Sequence, residues 1–289
     1  LGDSKSPMYF IAVACAANIG LDYLFMGAFH MGAVGAALGT TLSQLLSVIV
    51  SLVFITKRKS EIPFAVKYLK PHKKTVLALL QDGFIQISFI IITIIANRRG
   101  LTDAAAVGIV EKIIGFMFLV PSSMLSAVSA LAAQNFGAKK PERAKQTLKY
   151  AIAISTGIGF CAAVAVQFAA EPVVSLFTSD LAVIRAGGQY FRGYVWDSCI
   201  GGIQFSFGGY FCACGRSELS FLHNIISIVF VRIPGAFLAS KLFADTLLPM
   251  GFASTAGSLV STIVCLIAFA IITKNGADPT VRARKKAAA

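Results

Sequence analysis

LGDSKSPMYFIAVACAANIGLDYLFMGAFHMGAVGAALGTTLSQLLSVIVSLVFITK, residues 1–57, has a counterpart near the other end of the chain. Its landmarks are Gly2-Asp3-Ser4, an apolar run, Met31-Gly32 with Ala37, a second apolar run, and Ile55-Thr56-Lys57. Residues 215–274 repeat the order: Gly215-Arg216-Ser217, then Met250-Gly251 with Ala256, then Ile272-Thr273-Lys274. The first spacing is 30 residues in one copy and 36 in the other; the second is 24 and 22. Two copies of a helix pair are thus set far apart in one chain.

The composition names the solvent. Hydrophobic residues make up 56% of the chain, mean hydropathy is +0.77, and only 13% of residues are charged. A soluble domain carries about 25% charge. Apolar stretches of bilayer-spanning length recur, and eight are read: roughly 7–29, 32–56, 75–97, 104–126, 150–170, 190–213, 219–243 and 251–273. The chain reads as an all-α polytopic membrane protein. It opens on Leu1 rather than Met, which reads as an internal start.

The net charge of +13 is patterned. Nineteen of the 26 Lys and Arg residues fall on alternate loops, chiefly at 57–74, 139–149 and 274–286. The opposite loops hold five: Arg98, Arg99, Arg185, Arg192 and Lys241. The bias of basic residues toward the cytoplasm puts the basic loops and the C-terminus inside, with the chain in the plasma (inner) membrane. A basic rim on anionic lipid accounts for the charge, and nucleic acid is not an expected partner. Cys15, Cys161, Cys199, Cys212, Cys214 and Cys265 lie in apolar segments and read as small hydrophobes. His30, His72 and His223 are scattered, so no zinc constellation forms, and no nucleophile elbow, phosphate loop or dinucleotide fingerprint occurs. No enzyme and no cofactor are expected.

The repeat pairs spans one and two with spans seven and eight. A period of six helices is even, so both copies cross in the same direction, about an axis along the membrane normal. Two pseudo-symmetric six-helix bundles make twelve helices, of which this chain would hold eight. On this reading 1–56 are the last two helices of a first bundle and 57–74 a cytoplasmic linker. Residues 75–274 form a second, six-helix bundle, and 275–289 a basic cytoplasmic tail.

Intramembrane polar residues give the candidate sites. Asn18 and Asp22 are one turn apart and share a face. A carboxylate at bilayer depth costs about 2.5–3.5 kcal/mol on insertion scales and marks function by default. Counting inward at 1.5 Å per residue puts Asp22 and Thr40 at similar depths, roughly 10–12 Å below the outer edge. A carboxylate, an amide oxygen and a hydroxyl at one level suit Na⁺ or a proton. The competing reading is polar glue between helices, with Thr40 bonded to its own helix. Gly35 and Gly39 form a small-xxx-small pair for close packing against the first span. In the second half stand Asp82, Gln86, Glu111, Lys112, Asp197 and Arg232. Asp197 and Arg232 are opposite in charge, and Gln86 is a further candidate; a structural pair is at least as good a reading as a transport role. Pro121 and Pro234 are expected kinks.

Several stretches together resemble the multidrug and toxic compound extrusion family. Gly2-Asp3-Ser4-Lys5-Ser6-Pro7, Asn18-x-x-x-Asp22 and Gly32-Ala33-Val34-Gly35-Ala36-Ala37-Leu38-Gly39-Thr40-Thr41 are similar to its fourth-to-sixth helix region. Ala133-Gln134-Asn135-Phe136-Gly137-Ala138-Lys139-Lys140-Pro141-Glu142-Arg143-Ala144 resembles the loop after its eighth helix, and Cys214-Gly215-Arg216-Ser217 the turn before its eleventh. The resemblance implies a monomeric exporter that exchanges external Na⁺ or H⁺ for amphipathic, often cationic, drug-like compounds. Asn18, Asp22 and Thr40 match its first-bundle cation site, whose further carboxylate on the first helix this chain does not contain. Where other branches place an acid on the tenth helix, this chain has Gly208-Gly209. The rival readings are a flippase for lipid-linked oligosaccharides, which would need a more basic cavity than Arg232 alone supplies, and a membrane scaffold, which would gain little from buried charge.

Overall fold

Every described element is helical, as apolar sequence in lipid requires, because only internal hydrogen bonding satisfies the backbone there. The computed structural model describes residues 5–57 and 73–274. The elements are α1 (Lys5–Asp22) running into a π-helical stretch (Tyr23–Ala28), α2 (Gly32–Lys57), α3 (Lys73–Asn97), α4 (Leu101–Met117) and α5 (Leu119–Gly137). After them come α6 (Pro141–Ser175), α7 (Leu181–Tyr194) and α8 (Trp196–Ala213). The last are α9 (Ser217–Ser227), a second π-helical stretch (Ile228–Arg232), α10 (Ile233–Leu242) and α11 (Leu248–Lys274). The chain divides into two compact units, Leu1–Lys70 and Pro71–Ala289. The boundary falls within the expected 57–74 linker; residues 58–72 of that linker, and the 275–289 tail, lie outside the described residues.

Six described helical stretches are long and apolar enough to cross a membrane: Met8–Ala28, Gly32–Phe54, Leu101–Gly137, Pro141–Ser175, Ser217–Leu242 and Leu248–Lys274. Large apolar side chains such as Leu101 (88% exposed) and Phe168 (84%) stand on the outside. That arrangement suits lipid, and this is a multi-pass membrane protein. The helix α3 spans the expected 75–97 run, and its described apolar part is Gly83–Asn97. One of the eight expected spans looks different from the sequence reading. The 190–213 stretch is divided between α7 and α8 at Val195.

Two turn residues explain the helix ends. At Gly215 φ is +71°, Arg216 N donates to Phe211 O at 2.8 Å and Gly215 N to Cys212 O at 2.9 Å. This is the double bond of a left-handed helix terminator, which favours glycine. The Met-Gly landmarks serve different ends. Gly32 opens α2 at φ +55°, whereas Gly251 lies inside α11, where a Cβ would strike the α7 backbone at Tyr190 and Tyr194.

Proline acts where expected. Pro121 is the third residue of α5, and the helix breaks just before it at Phe118, since a proline ring clashes with the carbonyl four residues back. Pro234 follows the second π stretch. The second unit is centred on α8, which α5 and α6 approach closely. Gly209 abuts the Leu125 backbone, and Gly202 abuts Ser155. Glycine at 208–209 therefore has a packing reason: a side chain at 209 would push α5 away, and one at 208 would press on Ser220 of α9.

Candidate functional sites

In the first unit α1 and α2 run antiparallel, with Phe10 against Phe54 (ring centroids 5.2 Å apart) at one end and Phe25 against Gly35 at the other. The seam on α2 is Gly35, Gly39 and Ser43, one residue per turn, buried on a helix otherwise largely exposed. Asp22 closes α1 where the helix widens into its π stretch, a feature found often at functional sites. Its carboxylate sits so close to Gly39 that a Cβ there would overlap Oδ1. Asp22 Oδ1 and Asn18 Nδ2 are buried, and neither has a hydrogen-bond partner among the described residues.

Thr40 differs from the depth-matched expectation. Its side chain is exposed, and Oγ1 donates to Ala36 O at 3.0 Å. Depth fixes the level of a residue but not its azimuth; one step along a helix turns the side chain by about 100°. The residue that meets Asp22 is therefore Gly39. Sequence reasoning passed over Ser43, which is 2% exposed and donates to Thr40 O at 2.8 Å. Its spacing of four from Gly39 was the available signal.

The second unit holds a larger polar centre. A cavity of about 370 Å³ is lined by Gln86 and Phe89 of α3, Phe118, Asp197 and Gln204 of α8, Arg232 and Ser258, among others. Asp197 is fully buried and Arg232 is 9% exposed. Arg232 ends the second π stretch, and its guanidinium donates to the Tyr194 hydroxyl while lying 4.8 Å from the Phe89 ring centroid and 5.5 Å from that of Tyr194. Such stacking favours a cation. Its Nε is buried without a partner. Gly257 of α11 makes room beside it, where a Cβ would come within 3.2 Å of Arg232 Cβ.

Neither Asp197 oxygen completes a well-formed hydrogen bond. Gln204 Nε2 donates to Ser258 Oγ at 3.0 Å, which leaves the Ser258 proton free to turn toward the neighbouring carboxylate. Asp197 and Arg232 thus face one cavity, yet none of the ion pairs among the described residues joins them. Glu111 lies behind, accepting from Thr93 Oγ1 at 3.2 Å, while Lys112 is exposed. The two diverge as adjacent helical residues must. The Asp82 side chain lies outside the described residues. A further buried pair, His223 Nδ1 with Ser261 Oγ at 2.7 Å, lies deeper in the same unit. No disulfide joins the six cysteines, and no cluster of three metal-ligating side chains occurs among the described residues.

These features define a helical membrane protein with polar centres buried at bilayer depth. The family model MatE matches residues 78–238, and the chain belongs to the MatE family. It is 27% identical over 254 residues to the "Probable multidrug resistance protein YoeA" of Bacillus subtilis (strain 168), covering 83% of this chain and 55% of that one. It is 26% identical over 255 residues to the "Multidrug export protein MepA" of Staphylococcus aureus (strain MRSA252), covering 85% and 56%. The chain thus spans about half the length of these relatives. Among solved structures it is similar to a "multidrug resistance MATE family transporter of the MOP superfamily" in an outward-facing conformation. The TM-score is 0.78 at 18% identity, covering 94% of this chain and 64% of the other. A MATE crystallised with MaL6 is similar to the same degree, with TM-score 0.78, 18% identity and the same coverage. That likeness shows the fold.

Proposed function

We propose that this chain is part of a secondary active multidrug efflux antiporter. It exchanges Na⁺ or H⁺ for amphipathic, often cationic, organic compounds by alternating access. It contributes eight spans of a twelve-helix, two-bundle protein in the plasma membrane, with the basic loops cytoplasmic. The names of its relatives support export of drug-like compounds.

The observation that carries the coupling is the position of Asp22. Its carboxylate lies against the bare backbone of Gly39, with one buried oxygen lacking a donor among the described residues. A buried acceptor left without a donor costs about 1–3 kcal/mol. A proton or a Na⁺ ion removes that cost, so binding favours the conformation in which the carboxylate is enclosed. Asn18, one turn away, has its amide nitrogen unmatched. Amide oxygen and nitrogen exchange places by a 180° flip, which turns a carbonyl oxygen toward the ion. Thr40 adds its hydroxyl only on giving up Ala36 O.

The test is drug accumulation in cells carrying the full-length protein with Asp22→Asn. Loss of gradient-driven efflux at normal membrane expression is expected. Cation-coupled efflux at the native rate overturns the assignment.

A further inference from the structure

We propose that Arg232 sets the charge preference of the cavity in the second unit, acting as a tethered cation opposite Asp197. The inference rests on the efflux reading and assigns a residue of this chain to ligand selection within it. Three observations carry it. The first is the wall itself: Asp197 and Arg232 line the same cavity of about 370 Å³, and among the described residues they are its only formally charged lining. The second is that neither is used up. Among the described residues no ion pair joins them, Asp197 has only the Ser258 hydroxyl within reach and feels Arg232 without direct contact, and Arg232 Nε lacks a partner. Buried charges held only for structure are normally paired and fully bonded. These two retain capacity directed at a ligand. The third is that the guanidinium is fixed. The Tyr194 hydroxyl holds one nitrogen, the Phe89 and Tyr194 rings flank the plane, and Gly257 admits its stem. A fixed charge exerts a steady field, unlike a mobile lysine.

The other charged groups near this wall do not alter the argument. Glu111 accepts from Thr93 and lies within electrostatic reach of Arg232, a background that is the same for every ligand compared, and Lys112 is exposed. With Arg232 in place, Asp197 can receive one ammonium group while the guanidinium repels a second positive charge. The apolar walls, with Phe89, Phe118 and Phe205, take the body of the ligand. The volume falls in the range of small-molecule sites, about 300–1,000 Å³. The class selected is a compact aromatic cation of single charge, against dications and small metal cations.

The experiment uses purified full-length protein in detergent, with binding of benzyltrimethylammonium (one charge) and methyl viologen (two charges) measured by titration calorimetry. Arg232→Met removes the repulsion once per ligand charge. A unit charge ~12 Å away at an effective dielectric of ~20 is worth about tenfold in affinity. The monocation is expected to bind roughly tenfold tighter in the variant and the dication roughly a hundredfold tighter. Arg232→Lys keeps the charge and should keep the native ratio. Asp197→Asn, which preserves shape, should weaken the monocation about tenfold and carries the test if Arg232→Met fails to fold. An unchanged ratio in Arg232→Met, or unchanged monocation binding in Asp197→Asn, overturns the inference and leaves the efflux reading intact. Failure of both probes to bind the native protein overturns the inference and counts against the efflux reading as well.

Discussion

Replacing Arg99 by Ala should loosen one end of the second unit. Arg99 follows α3, and its guanidinium is spent entirely on that end of the molecule. Nε pairs with Asp103 Oδ2 at 2.7 Å. Nη1 donates to the carbonyls of Ser240 and Phe243, each at 3.0 Å, and Nη2 to those of Ala244 and Thr246 at 2.8 and 3.4 Å. One side chain thus collects carbonyls left unpaired where α10 ends and the chain turns toward α11. Hydrogen bonds from a charged donor are worth about 1.5–3 kcal/mol each when buried, and less where water can replace the donor. The Arg99 side chain is only 8% exposed, but two of its acceptors lie in exposed contacts. Two effective bonds and a partly screened ion pair give roughly 3–5 kcal/mol. For a unit of this size that corresponds to a fall in Tm of about 6–20 °C. Thermal unfolding in detergent, followed by size-exclusion chromatography after heating, measures it. Arg99→Lys keeps the charge but has no planar fork, and should recover less than half of the loss. A shift below ~2 °C for Arg99→Ala, or full rescue by Lys, refutes the carbonyl-collecting role.

Two glycine substitutions test the seams. Gly39→Ala puts a methyl group where Asp22 Oδ1 lies, so gradient-driven efflux by the full-length protein should fall as far as in Asp22→Asn while membrane expression persists. Efflux at the native rate would show that the carboxylate functions away from Gly39. Gly209→Ala pushes against the Leu125 backbone, which cannot rotate aside, and should cost roughly 1–3 kcal/mol of stability. In a thermal melt Gly83→Ala, with open space around its Cβ position, should match the native protein; equal losses in both variants would refute the packing account.

Helix content was legible because lipid imposes it: apolar runs of spanning length have few alternatives. The α2 seam was legible for a similar reason, since small residues spaced by four on an apolar helix mark where a neighbour comes close. The division of the 190–213 stretch was not. Val195 is an ordinary hydrophobic residue, and the break there depends on α7 crossing α11 at Gly193 and Gly251. The polar centre of the second unit was half legible. Asp197 and Arg232 stood out as deep charges, but Tyr194, Phe89 and Ser258 look like ordinary core residues in a linear sequence. They become partners only through contacts between helices far apart in the chain, which one sequence does not record. Glu111 was visible as a charge and silent as to its partner, Thr93, on the preceding helix.

The shift from Thr40 to Gly39 shows how a membrane sequence specifies a polar centre. An acid on one helix needs a close neighbour on the next, because lipid supplies neither donors nor acceptors. Closeness requires the smallest side chain, so the partner position of the acid is occupied by glycine, flanked along the seam by Gly35 and Ser43. The register then fixes the rest. Asp22 meets Gly39 and Phe25 meets Gly35, so one turn back along α1 to Asn18 corresponds to one turn onward along α2, the level of Ser43. Ser43 is buried on the seam, whereas Thr40 has turned to its own helix. Of the two hydroxyls, Ser43 is therefore the one on the seam that faces α1. Depth arithmetic chooses the level, but the small-residue stripe chooses the face, and both are needed to name a ligand.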